Sequence, residues 1–178
     1  MQSYTLNGKT YYYNNGTWLD RSYIRVPLAE AEKLDRAFAV NESLVAKSPK
    51  ELIELADGAS IHDNYTSSEK ALKAALETCK ANRDIYQIKS ILPRLTSIMR
   101  KQHHPQSAIQ LFTEYNNRFG KTIWSTPLLT SIAAAYCDIN NCALAKQFAD
   151  RAFAFSGGTG SKELSNVYAR IKNSSGNS

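Results

Sequence analysis

The sequence predicts a mainly α-helical protein, a short α-solenoid of helical hairpins that follows a small N-terminal antiparallel β-hairpin or meander. Two observations predict it: an apolar ladder that repeats every 37 residues, and an aromatic N-terminus interrupted by turn residues. A fixed period over about 100 residues is typical of stacked hairpins that are each too small to bury their own hydrophobic face. The ladder has three columns: Leu55, Leu92 and Leu129; Ala59, Thr96 and Ala133; and Ala71, Ala108 and Ala145.

The composition is that of a folded chain. Its 178 residues are 43% hydrophobic and 21% charged, which suffices for one sizeable core. The N-terminal residues show no basic region followed by an apolar one, and no stretch approaches the length of a membrane-spanning helix. Three cysteines without a disulfide-like spacing fit a reducing compartment. We therefore expect a cytoplasmic protein with no membrane partner.

The net charge of +6 is concentrated in the middle of the chain. Residues 80–121 carry eight basic and two acidic side chains, whereas residues 1–79 carry nine basic and eleven acidic ones. A local basic zone of this kind can bind an acidic peptide or a nucleic-acid backbone. The alternative is an ordinary solvated helix face.

Residues 1–26 are predicted to form the β-hairpin or meander. Asn7-Gly8 separates the β-forming runs 4–6 and 9–13, and a further run covers residues 17–19. Asn-Gly is the strongest short hairpin signal, because both central residues of a type I′ turn need positive φ. Residues 22–26 then form either the third strand of the meander or the exit from it.

The segment NGKTYYYNNGTW resembles the aromatic hairpins of choline-binding and related cell-wall-binding repeats. This resemblance covers 12 residues and occurs once, so it indicates shared hairpin chemistry. We expect Tyr11, Tyr13 and Trp18 to pack on the following helix or on a second copy of the chain, which would give a homodimer through the hairpin.

Helix signals begin at Pro27, which can open a helix at its first position. That connecting helix is expected to end at residues 41–43. Ser48 followed by proline is a second start signal, a cap with Pro at the first helical position. The predicted segments are a β region over 1–26, a connecting helix over 27–47, helical repeats with a C-terminal capping helix over 48–173, and a tail over 174–178.

Turn signals separate the helices where the period requires them. Glycines are expected to cap the second helices of the repeats in the left-handed conformation. Ser161 should cap a last helix that ends at Lys172 and covers the open end of the stack. The predicted breaks are residues 63–68, 103–105 and 140–141, with Gly120, Gly157 and Gly158 as caps.

The third copy of the ladder resembles the tetratricopeptide repeat. Its residues at the offsets of that pattern are Leu129, Ile132, Ala133, Tyr136, Ala145, Ala149 and Ala152. The usual period of that family is about 34 residues, so the copies here are longer and degenerate. Pro93 falls inside the predicted first helix of the second copy, where it should kink that helix or mark a new start. An irregular α-helical bundle is the alternative fold.

By that resemblance, the first helices of the repeats line a concave groove. The groove-facing offsets are Ala56, Ser60 and Asp63 in copy one, Pro93, Ser97, Arg100 and Lys101 in copy two, and Thr130, Ala134 and Cys137 in copy three. We predict that Arg94, Arg100 and Lys101 contact an acidic partner. The full set of predicted partner-binding residues is Ser60, Asp63, Arg94, Ser97, Arg100, Lys101 and Thr130.

The resemblance implies a scaffold or adaptor that binds a protein or peptide. The basic zone would favour an acidic partner. One alternative is a nucleic-acid-associated accessory protein that uses the basic middle repeat. Another is an enzyme whose site is not readable from the sequence, since no catalytic constellation stands out. We expect no cofactor or metal, because His103-His104 with Cys137 and Cys142 lack the paired spacing of a zinc site.

Overall fold

The computed structural model describes residues 1–14, 17–38, 44 and 47–175. These residues form three β-strands and eight α-helices, which confirms the prediction of a mainly α-helical protein with an N-terminal meander. A 3-10 turn, Gly120–Ile123, links α5 to α6. The strands are β1 (Gln2–Leu6), β2 (Lys9–Asn14) and β3 (Thr17–Leu19), and the helices are α1 (Leu28–Phe38), α2 (Pro49–Ile61), α3 (Tyr65–Ala81), α4 (Ile85–Lys101), α5 (Pro105–Phe119), α6 (Thr126–Asp138), α7 (Cys142–Phe155) and α8 (Lys162–Ser175).

The chain divides into two compact units, Met1–Thr78 and Cys79–Ser178. The two units also differ in net charge. The first unit carries nine basic and eleven acidic side chains, and the second carries thirteen and five. The segment boundaries predicted at residues 26, 47 and 173 stay predictions.

The meander in the first unit pairs its three strands in the order β1, β2, β3, antiparallel throughout. Asn7 and Gly8 both have positive φ, at 49° and 74°, as the predicted hairpin turn requires. The third strand is β3. Residues 22–26 therefore form the exit, where a single bridge joins Arg25 to Leu19.

One face of the meander packs on α1. The aromatic residues therefore pack on the following helix, the first of the two predicted arrangements. Trp18 is 1% exposed, and its Nε1 donates to Asp35 Oδ1 of α1 at 2.8 Å. Tyr11 donates from its hydroxyl to Glu30 Oε1 at 2.6 Å. The cluster consists of Tyr11, Trp18, Val26, Ala31 and Leu34, with Tyr4, Leu6 and Tyr13 partly buried against it. Burial of this apolar face stabilises a sheet that would be marginal alone.

Helix α1 begins at Leu28, directly after Pro27, as predicted. The structure describes it to Phe38, so its predicted end at residues 41–43 lies outside the described residues. Helix α2 begins with the predicted cap. Ser48 and Glu51 form a reciprocal capping box there, in which each side chain accepts from the backbone N–H of the other residue.

The turns fall close to their predicted positions, with two corrections. The break after α2 ends at Asn64 and not at Ser68, because the Asn64 side chain caps α3 by accepting from Ser67 N–H at 3.2 Å. At the other end of the chain, Ser174 lies within α8, where its hydroxyl donates to Arg170 O. Helix α8 therefore continues to Ser175, beyond its predicted end at Lys172.

Four of these turns share one backbone design. A residue with positive φ follows each helix, and the next N–H bonds back to the carbonyl five residues earlier, as in His104 N to Met99 O at 2.9 Å. This is the Schellman motif, which satisfies the last carbonyls of a helix. Glycine is the usual residue at the positive-φ position, yet four other residues occupy it here: Asp63, Arg83, His103 and Asn140.

Replacing Arg83 with glycine is expected to stabilise the protein by about 0.5–1 kcal/mol. A non-glycine residue in the left-handed region costs about 1–2 kcal/mol, and the greater freedom of glycine in the unfolded chain offsets part of that gain. Asn140→Gly is the matched control, since asparagine tolerates the left-handed region, and it should change stability by less. Urea unfolding of both variants tests this. A loss of stability in Arg83→Gly would contradict the expectation.

The ladder residues are buried, with one exception. Ala59, Ala71, Thr96, Ala108, Ala133 and Ala145 are all 0% exposed, and so are Leu92 and Leu129. Leu55 is only half-buried, whereas Leu52 in the same helix is 1% exposed. The first column is therefore wrong in the first copy, where Leu52 takes the interior position one turn earlier.

Pro93 does not start a new helix. Helix α4 runs unbroken from Ile85 to Lys101, and Asp84 caps its start by accepting from Gln87 N–H at 3.0 Å. Thr96 stands where the ladder has alanine in the other two copies. Its hydroxyl donates to Leu92 O at 2.9 Å and lies 2.9 Å from the Ser131 hydroxyl of α6. This buried hydroxyl pair joins α4 to α6 beside the proline.

Candidate functional site

The second unit contains a groove between α4, α6 and α8. Its volume is about 590 Å³, and it is partly open to solvent. Each helix contributes residues spaced three or four apart, which share one helix face. The lining residues are Pro93, Ser97 and Arg100 of α4, Thr126, Pro127, Thr130, Ser131 and Ala134 of α6, and Ser161, Glu163, Asn166, Val167 and Arg170 at α8.

Local sequence signals position α6 and α8 around this groove. Ser125 caps α6 by accepting from Leu128 N–H at 3.3 Å, and Ser161 caps α8 by accepting from Leu164 N–H at 3.1 Å. The adjoining face of α8 is buried, with Leu164 at 0% and Ile171 at 8% exposure. Burial of that face fixes which side of α8 faces the groove.

One lining residue of the groove has a buried hydroxyl for which the described residues supply no hydrogen-bond partner. Thr130 is 6% exposed, and its Oγ1 finds no partner among the described residues. The hydroxyl of the adjacent Ser131, in contrast, is hydrogen-bonded to the Thr96 hydroxyl at 2.9 Å. Because burying an unpaired hydroxyl is costly, this atom lowers the stability of the free protein and would gain a hydrogen bond if a polar group of an occupant reached it.

Two arginines share one carboxylate at the end of the groove where α6 ends. Asp138 accepts from Arg100 Nε at 2.7 Å through Oδ2 and from Arg170 Nη2 at 2.6 Å through Oδ1. The Asp138 side chain is 24% exposed, so the three charges are partly shielded from water. Two cations against one anion leave this end positive. The arrangement also ties α4, α6 and α8 together.

The other end of the groove has the opposite character. Thr126 and Pro127 begin α6, while Ser161 and Glu163 lie at the start of α8. Since Arg170 reaches Asp138 at the end of α6, the two helices run in the same direction. The groove therefore has an acidic end at Glu163 and a basic end at Arg100 and Arg170.

A second cavity of about 650 Å³ continues beyond the arginines. It shares Ser97, Arg100 and Arg170 with the groove and adds Lys101, His103 and Cys137, among others. Burial raises the pKa of the Cys137 thiol, although the nearby Arg170 opposes that rise. The thiol is therefore neutral at pH 7, and the positive charge here comes from the basic side chains.

The structure brings some of the predicted partner-binding residues together and separates others. Ser97, Arg100 and Thr130 line the groove, and Lys101 lines the adjoining cavity. Arg94 is exposed and folds back onto Ser90, with Nη1 2.9 Å from its carbonyl oxygen, and it lines neither cavity. The remaining two predicted residues, Ser60 and Asp63, belong to the first unit, and Asp63 Oδ1 accepts from the Tyr65 hydroxyl.

Sequence reasoning missed the contribution of α8. It placed that helix as a cover for the end of the stack, yet Asn166 and Arg170 line the groove. The available signal was spacing: these two residues are four apart and lie next to the apolar stripe of Val167 and Ile171. Asp138 was missed as well, and no local pattern distinguishes it from an ordinary residue at a helix end.

Comparison of the chain with known protein families, with curated proteins and with solved structures gives no match.

Within the described part of the chain, no helix combines the length and the apolar composition needed to cross a bilayer. The same residues contain no group of three or more His, Cys, Asp or Glu side chains that could hold a metal ion. The cytoplasmic location stays a prediction.

Proposed function

We propose that this protein is a tetratricopeptide-like interaction module that binds an extended segment of a protein partner in the groove between α4, α6 and α8. An acidic side chain of that segment lies next to Arg100 and Arg170. The observation that carries the proposal is the groove itself, which has a basic end and a buried, unpartnered hydroxyl at Thr130. Homodimerisation is left out of the proposal, because Tyr11 and Trp18 are already covered within their own unit.

The dimensions favour an extended occupant. Glu163 and Arg170 are seven residues apart on α8, which corresponds to about 10 Å along the helix axis at 1.5 Å per residue. An extended chain covers that distance with about three residues. An α-helix with its side chains is about 10–12 Å across, so a helical segment of that length would need more volume than the groove has. In an extended segment, a backbone N–H or C=O is free to bond Thr130 Oγ1.

The charge arrangement favours an acidic side chain at the basic end. Each arginine gives a single nitrogen to Asp138, whereas a guanidinium carries five N–H donors. Asp138 thus holds both arginines in place and leaves donors for a second carboxylate. Glu163 at the other end disfavours an acidic residue there, so a partner segment binds in one direction.

The test is a selection of random peptides on the intact protein. We expect the selected peptides to carry an acidic residue at a constant position. The double change Arg100→Gln with Arg170→Gln should weaken their binding at least about tenfold, since removing one partner of a hydrogen-bonded charge pair costs about 2–5 kcal/mol. The control is Lys89→Gln with Lys172→Gln, which removes the same charge from the same unit outside the groove.

Selected peptides without an acidic preference would contradict the charge part of the proposal. Equal binding by the wild-type protein and the arginine variant would contradict the place of binding. Equal losses in the arginine variant and the lysine control would show that only net charge matters.

Thr130→Val is expected to separate stability from binding. Valine keeps the shape of threonine and removes the unpartnered hydroxyl, so the free protein should gain about 0.5–1.5 kcal/mol of stability. The same change removes a hydrogen bond to the bound peptide and should weaken binding several-fold. Thermal unfolding and peptide titration of one variant measure both effects. A destabilised protein with unchanged peptide affinity would show that Thr130 is an ordinary core residue.

A further inference from the structure

A second surface of the same unit carries cations that are held over aromatic rings. Lys121 Nζ lies 5.5 Å from the centre of the Trp124 ring, and Arg151 Cζ lies 5.9 Å from the same centre. Arg118 Cζ lies 5.4 Å from the centre of the Phe119 ring. We call these five residues the cation–ring surface. They come from the end of α5, the following turn and α7, and none of them lines the groove.

The rings place these cations in defined positions. Trp124 donates from Nε1 to Asn116 Oδ1 at 2.8 Å, which fixes the indole against α5. Arg151 also lies 5.0 Å from the centre of the buried Phe148 ring. Cation–π contacts of this kind hold a long side chain near the surface without neutralising its charge. The cations are therefore arranged in advance for an external anion.

Four of the five carboxylates of the second unit are already engaged elsewhere. Within its described residues, Asp84 caps α4, Glu114 binds Lys80, Asp138 binds two arginines, and Asp150 binds Lys146. The fifth, Glu163, lines the groove. With thirteen basic and five acidic side chains, this unit has a large cationic excess. Arg118, Lys121 and Arg151 are exposed members of that excess.

We propose that the cation–ring surface binds the phosphate backbone of single-stranded nucleic acid. Three exposed cations supply the charge for phosphates, and each lies against a partly exposed ring, Phe119 or Trp124, whose remaining surface is available for contact with bases. A positive surface interleaved with aromatic rings is the combination that recognises single strands without reading their sequence. An acidic protein segment would use the cations but not the rings.

The test measures binding of fluorescent oligo(dT) to the intact protein at about 50 and 200 mM salt. The triple change Arg118→Gln, Lys121→Gln and Arg151→Gln should weaken binding at least about tenfold at the lower salt concentration. It should also reduce the slope of log affinity against log salt by about 2, since each single-strand phosphate contact contributes about 0.7. The control, Lys89→Gln with Lys162→Gln and Lys172→Gln, removes three charges elsewhere in the same unit and should leave the slope within about 0.5 of the wild-type value.

Trp124 fluorescence supplies an independent readout. Oligo(dT) should quench it in the wild-type protein, and Trp18 is a minor contributor to that change because it is 1% exposed. No binding of oligo(dT) by the wild type, an equal loss in the control, or polyglutamate binding as tightly as oligo(dT) would each overturn the proposal. The arginine variant of the groove keeps oligo(dT) binding, so this test is separate from that of the peptide site.

Discussion

Replacing Trp18 with alanine is expected to remove about 3–5 kcal/mol from the stability of the first unit. Trp18 is 1% exposed, and its ring contacts Tyr4 and Tyr13 at centroid distances of 5.0 and 4.8 Å. The change leaves a cavity between the meander and α1 and deprives Asp35 of the indole N–H. Hydrogen exchange of the amides in residues 2–38, together with urea unfolding, measures the loss.

Two matched variants identify the cause. Trp18→Phe keeps one ring in the cavity and removes the hydrogen bond and part of the indole, so it should cost less, about 1–3 kcal/mol. Tyr23→Ala removes an aromatic side chain of the same region that is 58% exposed and should cost less than about 1 kcal/mol. If all three variants lose the same stability, the meander does not depend on the buried indole.

The second large effect is expected from enlarging two buried alanines of the third ladder column. Ala108→Leu and Ala145→Leu should each destabilise the second unit by about 1–3 kcal/mol, because both positions are 0% exposed where paired helices approach closely. Thermal unfolding measures the change. Ala154→Leu, at an exposed position of α7, is the control and should change stability by less than about 0.5 kcal/mol.

An unchanged midpoint in both Ala108→Leu and Ala145→Leu would show that the alignment at 37 residues does not describe the packing. A loss in only one of them would mean that the two hairpins do not share a crossing geometry.

Local signals account for the parts of the fold that the sequence could predict. Asn7-Gly8 specifies its turn through the positive φ of both residues, and Ser48 specifies the start of α2 through its cap. The ladder correctly places Ala133 and Ala145 in the interior, because equivalent positions of successive helical hairpins are buried in the same way. These features depend on neighbouring residues or on a fixed spacing, both of which are visible in a sequence.

Long-range contacts account for what the sequence could not predict. Leu55 satisfies the period and Leu52 does not, yet the packing of the first unit buries Leu52 and leaves Leu55 half-buried. The ion cluster joins Asp138 to residues 38 positions before it and 32 after it. The contribution of α8 to the groove likewise depends on how that helix docks on α6, which spacing within α8 does not encode.

The proposed groove makes a direct prediction for nuclear magnetic resonance. Titration of a selected acidic peptide into the isotope-labelled protein should shift the amide signals of Ser97, Thr130 and Asn166, one from each groove helix, with a common saturation point. The indole signal of Trp124, which lies on the other surface, should stay unchanged. Shifts confined to α5 and α7 or to the first unit, with the three groove amides unaffected, would contradict peptide binding in the groove.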